Sequence, residues 1–104
     1  MKTVIIDDEK YVSEKEVIKG NVKIVILQRG WNMVGRFERN GSDCKLSGAS
    51  VIRVWGTIKG LGEIALHGPT SKTVLDRCNG VVEFDYLTVV ATISCDEFKW
   101  LGHI

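Results

Sequence analysis

Proline occurs once in this sequence, histidine twice, and no two of the three cysteines (Cys44, Cys78, Cys95) stand two to four residues apart. Structural zinc sites pair their ligands at that short spacing, so a zinc centre is not expected and no cofactor is implied. An odd set of cysteines without C-x-x-C spacing points to reduced thiols in a cytoplasm, each behaving as a small hydrophobe. No apolar run approaches the roughly 18 residues that a membrane helix needs. The one near the N-terminus, Val4-Ile5-Ile6, stops at Asp7-Asp8-Glu9, which is no signal peptide. There is no G-x-S-x-G elbow for a serine nucleophile. Gly68-Pro69-Thr70-Ser71-Lys72-Thr73 lacks the G-x-x-x-x-G-K-[ST] spacing of a phosphate loop. These absences favour a binding role over an enzyme.

What is present fits one domain. The 104 residues, 44% apolar and 26% charged, suit a single core that buries about two-thirds of the unfolded surface. That composition excludes a disordered acidic tail, a collagen-like chain and a coiled coil. There are no internal repeats or low-complexity segments. The formal charge of +1 hides an asymmetry: residues 21–60 hold seven basic against two acidic side chains, residues 61–104 three against six, and residues 1–20 four against five. The middle of the chain is therefore a candidate anion-binding surface, unless the charges cancel in space.

The spacing of apolar residues predicts short strands and one helix. Ser13-Glu14-Lys15-Glu16 fits a capping box, with a helical turn over 14–19 that ends at Gly20. Val22–Gln28 is almost continuously apolar and β-branched, like a strand buried on both faces. Arg29-Gly30 marks a turn, and Trp31–Glu38 continues as a strand whose Gly35 signals a bulge or bend. Asn40-Gly41 predicts a type I′ hairpin into Asp43–Leu46. Ser47-Gly48 breaks the run before the strand Ala49–Trp55. Leu61–His67 reads as a helix stopped by Gly68-Pro69. Asn79-Gly80 turns the chain into Val81–Asp85, and Leu87–Ser94 is the last strand. Trp31 and Phe37 are expected to pack the barrel, and Trp100 to dock on the domain or on a neighbouring subunit. The fold class is mainly β, a small partly open barrel of the SH3/Sm-like kind with one short helical insertion. A peg at 1–20 precedes the barrel at 21–95, and a tail follows at 96–104.

The segment from Ala49 to Thr73 is the candidate site. Arg53, Trp55, Thr57 and Lys59 run from a strand end into a loop punctuated by Gly56, Gly60 and Gly62. Glycine lets backbone approach a ligand closely, and N–H groups at the start of the Leu61 helix favour a negative group. Trp55 fits either a core anchor or a stacking face for a base, while Arg53 and Lys59 suit phosphate. Thr70, Ser71 and Lys72 add hydroxyls and a cation from a second loop.

Over most of its length the chain resembles small β proteins of unknown function encoded by tailed bacteriophages and prophages. The shared features begin with the peg Ile5-Ile6-Asp7-Asp8-Glu9-Lys10-Tyr11-Val12. The β-run Lys23–Leu27 follows, then Arg29-Gly30-Trp31 and Val34-Gly35-Arg36-Phe37. Leu46, Ala49 and Trp55 mark the next strand, Leu61-Gly62-Glu63-Ile64-Ala65 with Gly68 the helix, and Ile93-Ser94-Cys95 the close. Many of those proteins carry a second aromatic where this chain has Arg53. Phage proteins of this size include sponges that sequester cyclic-nucleotide signals of bacterial immunity such as CBASS. By analogy, the resemblance implies a non-enzymatic, homo-oligomeric binder of a small anionic nucleotide. It also fits a virion or assembly component. Val22–Ala49 resembles the Sm-like fold as well, which implies an RNA-binding ring. The closing Arg-Gly of that motif is absent, however, and Phe84-Asp85-Tyr86 stands in its place.

Overall fold

A computed structural model describes residues 21–104; the peg and the capping-box helix expected within 1–20 lie outside the described residues. Six strands follow one another as β1 (Val22–Leu27), β2 (Trp31–Asn40), β3 (Asp43–Val54), β4 (Val74–Arg77), β5 (Val82–Asp85) and β6 (Val89–Ser94). Helix α1 (Leu61–His67) is inserted between β3 and β4, and α2 (Glu97–Trp100) follows β6. All pairings are antiparallel, in the order β4-β3-β2-β1-β6, with β5 also on β3. The protein is thus mainly β. Among the described residues its sheet does not close on itself, as in a partly open barrel.

The strand β1 is buried on both sides, as its run of β-branched residues predicts. Val22 and Ile24 join Val34, Ile52 and Trp100 in a core covered by Leu61, Ile64 and Ala65 of α1. Val25 belongs to a second core with Met33, Leu46 and Ala49, against which Phe37, Val82 and Phe84 pack. Phe37 therefore packs the barrel as expected, its ring centroid 6.2 Å from that of Phe84. Trp31 does not: half of it is exposed, because it begins β2 beyond the edge of that core.

Three local expectations are corrected. Ser47-Gly48 does not break the chain, since β3 runs unbroken for 12 residues. Gly48 takes a φ of +59° and inserts one extra residue, so the register passes from Arg36↔Ser47 to Val34↔Ser50. Gly35 lies opposite this bulge, where an added Cβ would sit 3.0 Å from the Ser47 carbonyl oxygen. The Asn40–Asp43 hairpin has positive φ at Gly41 alone, the pattern of a type II′ rather than a type I′ turn. Finally, β4 and α2 both occur where neither is expected from sequence, and the last strand starts at Val89 after a 3-10 turn at Tyr86–Thr88.

The segment 96–104 is a clasp. Asp96 caps α2 by accepting from the Phe98 and Lys99 N–H groups at 3.0 and 3.4 Å. The Trp100 ring is fully buried, and its Nε1 donates to the carbonyls of Ile64 (3.0 Å) and Ala65 (3.3 Å). Glu97 accepts from the Val22 N–H at 2.7 Å and from Arg36 Nη1 at 2.9 Å. Those donors, the Val22 N–H first, hold its carboxyl below the usual glutamate range against the opposing effect of desolvation. Trp100 thus docks on its own domain.

Candidate functional site

The site begins where β3 ends. Beyond Val54 the chain passes through Trp55, Gly56, Thr57, Ile58 and Lys59 into α1, then returns through Pro69–Thr73 into β4. Because β4 pairs back onto β3, with Val54 opposite Val74, both loops leave from the same end of one strand pair. Two threonines lock them together. The Thr73 hydroxyl donates to the Trp55 carbonyl at 2.7 Å, and the Thr70 hydroxyl donates to the Gly56 carbonyl at 2.8 Å. Thr70 N–H in turn donates to Thr73 Oγ1 at 2.8 Å, and Lys72 N–H to Thr70 Oγ1 at 3.1 Å. Gly56, with φ at +78°, lies so near this turn that a Cβ would come within 2.4 Å of the Thr73 nitrogen. Any side chain there would separate the loops.

Six of the seven candidate residues, Trp55, Gly56, Thr57, Lys59, Thr70 and Ser71, are thereby gathered on one double loop. Their roles divide differently from the expectation. A hydroxyl has one proton, and that of Thr70 is already committed to Gly56, so Thr70 builds the loop rather than donating to a ligand. Thr57 Oγ1 accepts from the Lys59 N–H at 3.1 Å. Thr73, which the sequence reading passed over, is as important as Thr70; its only sequence signal is a hydroxyl residue close to Gly68-Pro69. What remains for a partner is the Trp55 ring (40% exposed), the hydroxyl protons of Thr57 and Ser71, and the ammonium groups of Lys59 and Lys72. Neither lysine has an acidic partner among the described residues. Trp55 belongs to neither buried core, which removes the core-anchor alternative. Helix α1 is seven residues long and places Glu63 in its first turn, so it supplies no anion site.

Arg53 stands apart. Its Nε and Nη2 both donate to Asp76 Oδ2 on β4, at 3.2 and 2.8 Å. Arg36 is likewise paired with Glu97, and Lys45 lies directly opposite Glu83. Much of the positive charge of residues 21–60 is therefore cancelled by acids from the last third of the chain.

Arg53 also lines a shallow open cleft of about 350 Å³ formed by Arg29–Asn32 and Val51–Arg53. Trp31 and Arg29 are exposed there, and Arg29 is the one non-glycine at positive φ (+69°) among the described residues. A second cleft, about 430 Å³, lies at the other end of β3, where Asp43, Glu83 and Asp85 outnumber Lys45. It repels anions. The thiols form no cluster: Cys44 is buried, Cys78 packs on one core and Cys95 on the other. Burial pushes the Cys95 thiol up to about 11. Among the described residues no helix is long and apolar enough to cross a membrane. No protein-family model matches the chain, and comparison with curated proteins finds no match.

Proposed function

We propose that this protein is a non-enzymatic binder of a small anionic nucleotide, and that the double loop carries the binding. One observation supports this reading above the others. Threonines 70 and 73 tie together two loops that carry an exposed tryptophan and two exposed lysines, neither lysine with an acidic partner among the described residues, and positions 55–60 and 69–73 hold no acidic residue. An aromatic face stacks a base without regard to sequence, and ammonium groups attract phosphate. The proposed roles are stacking for Trp55, phosphate attraction for Lys59 and Lys72, and hydrogen bonding for Ser71. Arg53 is held by Asp76 and contributes through its remaining donors. In the phage setting that the sequence resemblance implies, such a protein would sequester a host cyclic-nucleotide signal in the bacterial cytoplasm.

Self-association is part of the proposal. Among the described residues β6 pairs only with β1, and its sequence Val-Val-Ala-Thr-Ile-Ser carries no charge to discourage a further strand. Val90 is 65% exposed on it. Pairing through this edge would give the homo-oligomer.

The test is a thermal-shift panel of cyclic di- and trinucleotides beside RNA oligomers, with light scattering on the same samples. A ligand at 100 times its Kd adds about 2.7 kcal/mol, a shift on the order of 10 °C for a domain of this size. Stabilisation by a cyclic nucleotide supports the reading. Preference for RNA replaces it with the Sm-like one, and silence across the panel leaves the assembly role. A monomer near 11.6 kDa removes the oligomer.

A further inference from the structure

We infer that the cleft between the Arg29 turn and the end of β3 is a nucleobase subsite, stacking the base on Trp31 and presenting Arg29 to its phosphate. The inference rests on the nucleotide reading above and adds a position for the base that is separate from Trp55.

Three features of the cleft converge. Trp31 lines the cleft and exposes half its surface. A planar ring is the occupant that covers an indole best. Arg29 has no ion-pair or hydrogen-bond partner among the described residues, so its guanidinium is available to an anion. Its backbone is the third feature. A residue with a Cβ at φ +69° is strained, and the neighbouring Gly30 at +80° shows what such a turn ordinarily recruits. Retaining arginine where glycine or asparagine would be relaxed is the pattern expected when the side chain has a task. Asn32 places an amide at the same cleft, able both to donate to and accept from a base edge, and no carboxylate lines it. Asp76 already engages two nitrogens of Arg53, so Arg29 brings the uncommitted guanidinium of the pair that lines the cleft.

The experiment is fluorescence titration with adenosine 5′-monophosphate, with adenosine and inorganic phosphate as separate arms. Trp100 is buried, so quenching reports on Trp31 and Trp55. The wild type should bind the monophosphate more tightly than either half alone. Trp31→Ala should lose about 5- to 150-fold in affinity, the value of one base–aromatic stack. Arg29→Gly should lose affinity for the monophosphate but not for adenosine, at an equal or higher melting temperature because the turn relaxes. That pair of signs separates a ligand role from a structural one and does not depend on Trp31→Ala folding. Unchanged affinity in a folded Trp31→Ala protein, or in Arg29→Gly, overturns the subsite. If Trp55→Ala alone abolishes binding, the cleft falls and the nucleotide reading stands. If no nucleotide binds the wild type, both fall.

Discussion

The clasp and the double loop use similar side chains to opposite ends. In the clasp, Trp100 is fully buried with its Nε1 on two carbonyls, and Glu97 holds both the β1 terminus and Arg36. There the Trp100 ring and the Glu97 charge are consumed by the fold, while Phe98 of the same short helix stays 84% exposed. In the double loop the hydroxyls of Thr70 and Thr73 are consumed and Thr57 Oγ1 accepts from the Lys59 N–H, while the Trp55 ring and two lysines stay at the surface. Buried polar groups must find partners, and those already paired inward, as Trp100 Nε1 is, have nothing left to offer a ligand. The surplus after those pairings is where binding can reside.

The largest expected effect tests that contrast directly. Trp100→Ala should cost roughly 3–5 kcal/mol of stability by urea denaturation, the usual loss for a buried large aromatic. Trp55→Ala should cost about 1 kcal/mol or less, since its ring packs in neither core. Equal losses would abolish the distinction between the two tryptophans.

Next in size is the lock of the double loop. Gly56→Ala combines a positive φ with a Cβ 2.4 Å from the Thr73 nitrogen, and it should cost about 1–3 kcal/mol. Thr73→Val removes the donor to the Trp55 carbonyl and the acceptor for the Thr70 N–H, a loss of about 1–2 kcal/mol. Both variants should weaken nucleotide affinity more than their stability loss explains. A normal melting curve for Gly56→Ala would mean that the loops do not meet as described.

A smaller effect belongs to the clasp. The Glu97 carboxyl lies below its ordinary value because the Val22 N–H, then Arg36, favour the charged form. A depressed carboxylate contributes stability above its unfolded pKa and loses it as pH falls through the folded value. The melting temperature should therefore drop below about pH 4.5 by more in the wild type than in Glu97→Gln. Since the side chain is 43% exposed, the difference should amount to less than about 1 kcal/mol. Parallel pH profiles would show that the contact is not made in solution.

Legibility from sequence follows the same division. The strand β1, the turn at Asn40-Gly41 and helix α1 announce themselves because local pattern and final environment agree. The bulge at Gly48 reads as a break, since a glycine in a serine-rich run looks identical in both cases. Strand β4 is silent because its four residues include Asp76 and Arg77, and only Leu75 is partly covered. Helix α2 hides in a charged stretch whose one buried residue is Trp100. At the site, glycines and hydroxyls flag the double loop correctly, yet spacing cannot reveal that the hydroxyls bind each other. The charge block misleads, because Asp76 and Glu97 return from distant sequence to pair with Arg53 and Arg36. Trp55 is ambiguous from sequence and Trp31 reads as a barrel residue, and only the three-dimensional edge of the core separates both from Trp100.

The smallest expected change in stability carries the sharpest information about charge. The Arg53–Asp76 pair is exposed, with 56% of each side chain accessible, so Asp76→Asn should cost about 0.2–1 kcal/mol at most. Its effect on ligand has the opposite sign. If the phosphate binds about 8 Å from this carboxylate, removing it relieves a repulsion of roughly 0.5 kcal/mol in water, about a twofold gain in affinity. That gain should appear at low salt and vanish by about 1 M, where the Debye length shrinks to about 3 Å. Arg53→Ala should move affinity the other way with the same salt dependence. A loss of affinity in Asp76→Asn that persists at high salt would reverse the assignment. The carboxylate would then be orienting the guanidinium plane through its Nε and Nη2 contacts, and Arg53 would be a positioned ligand-binding group rather than a neutralised one.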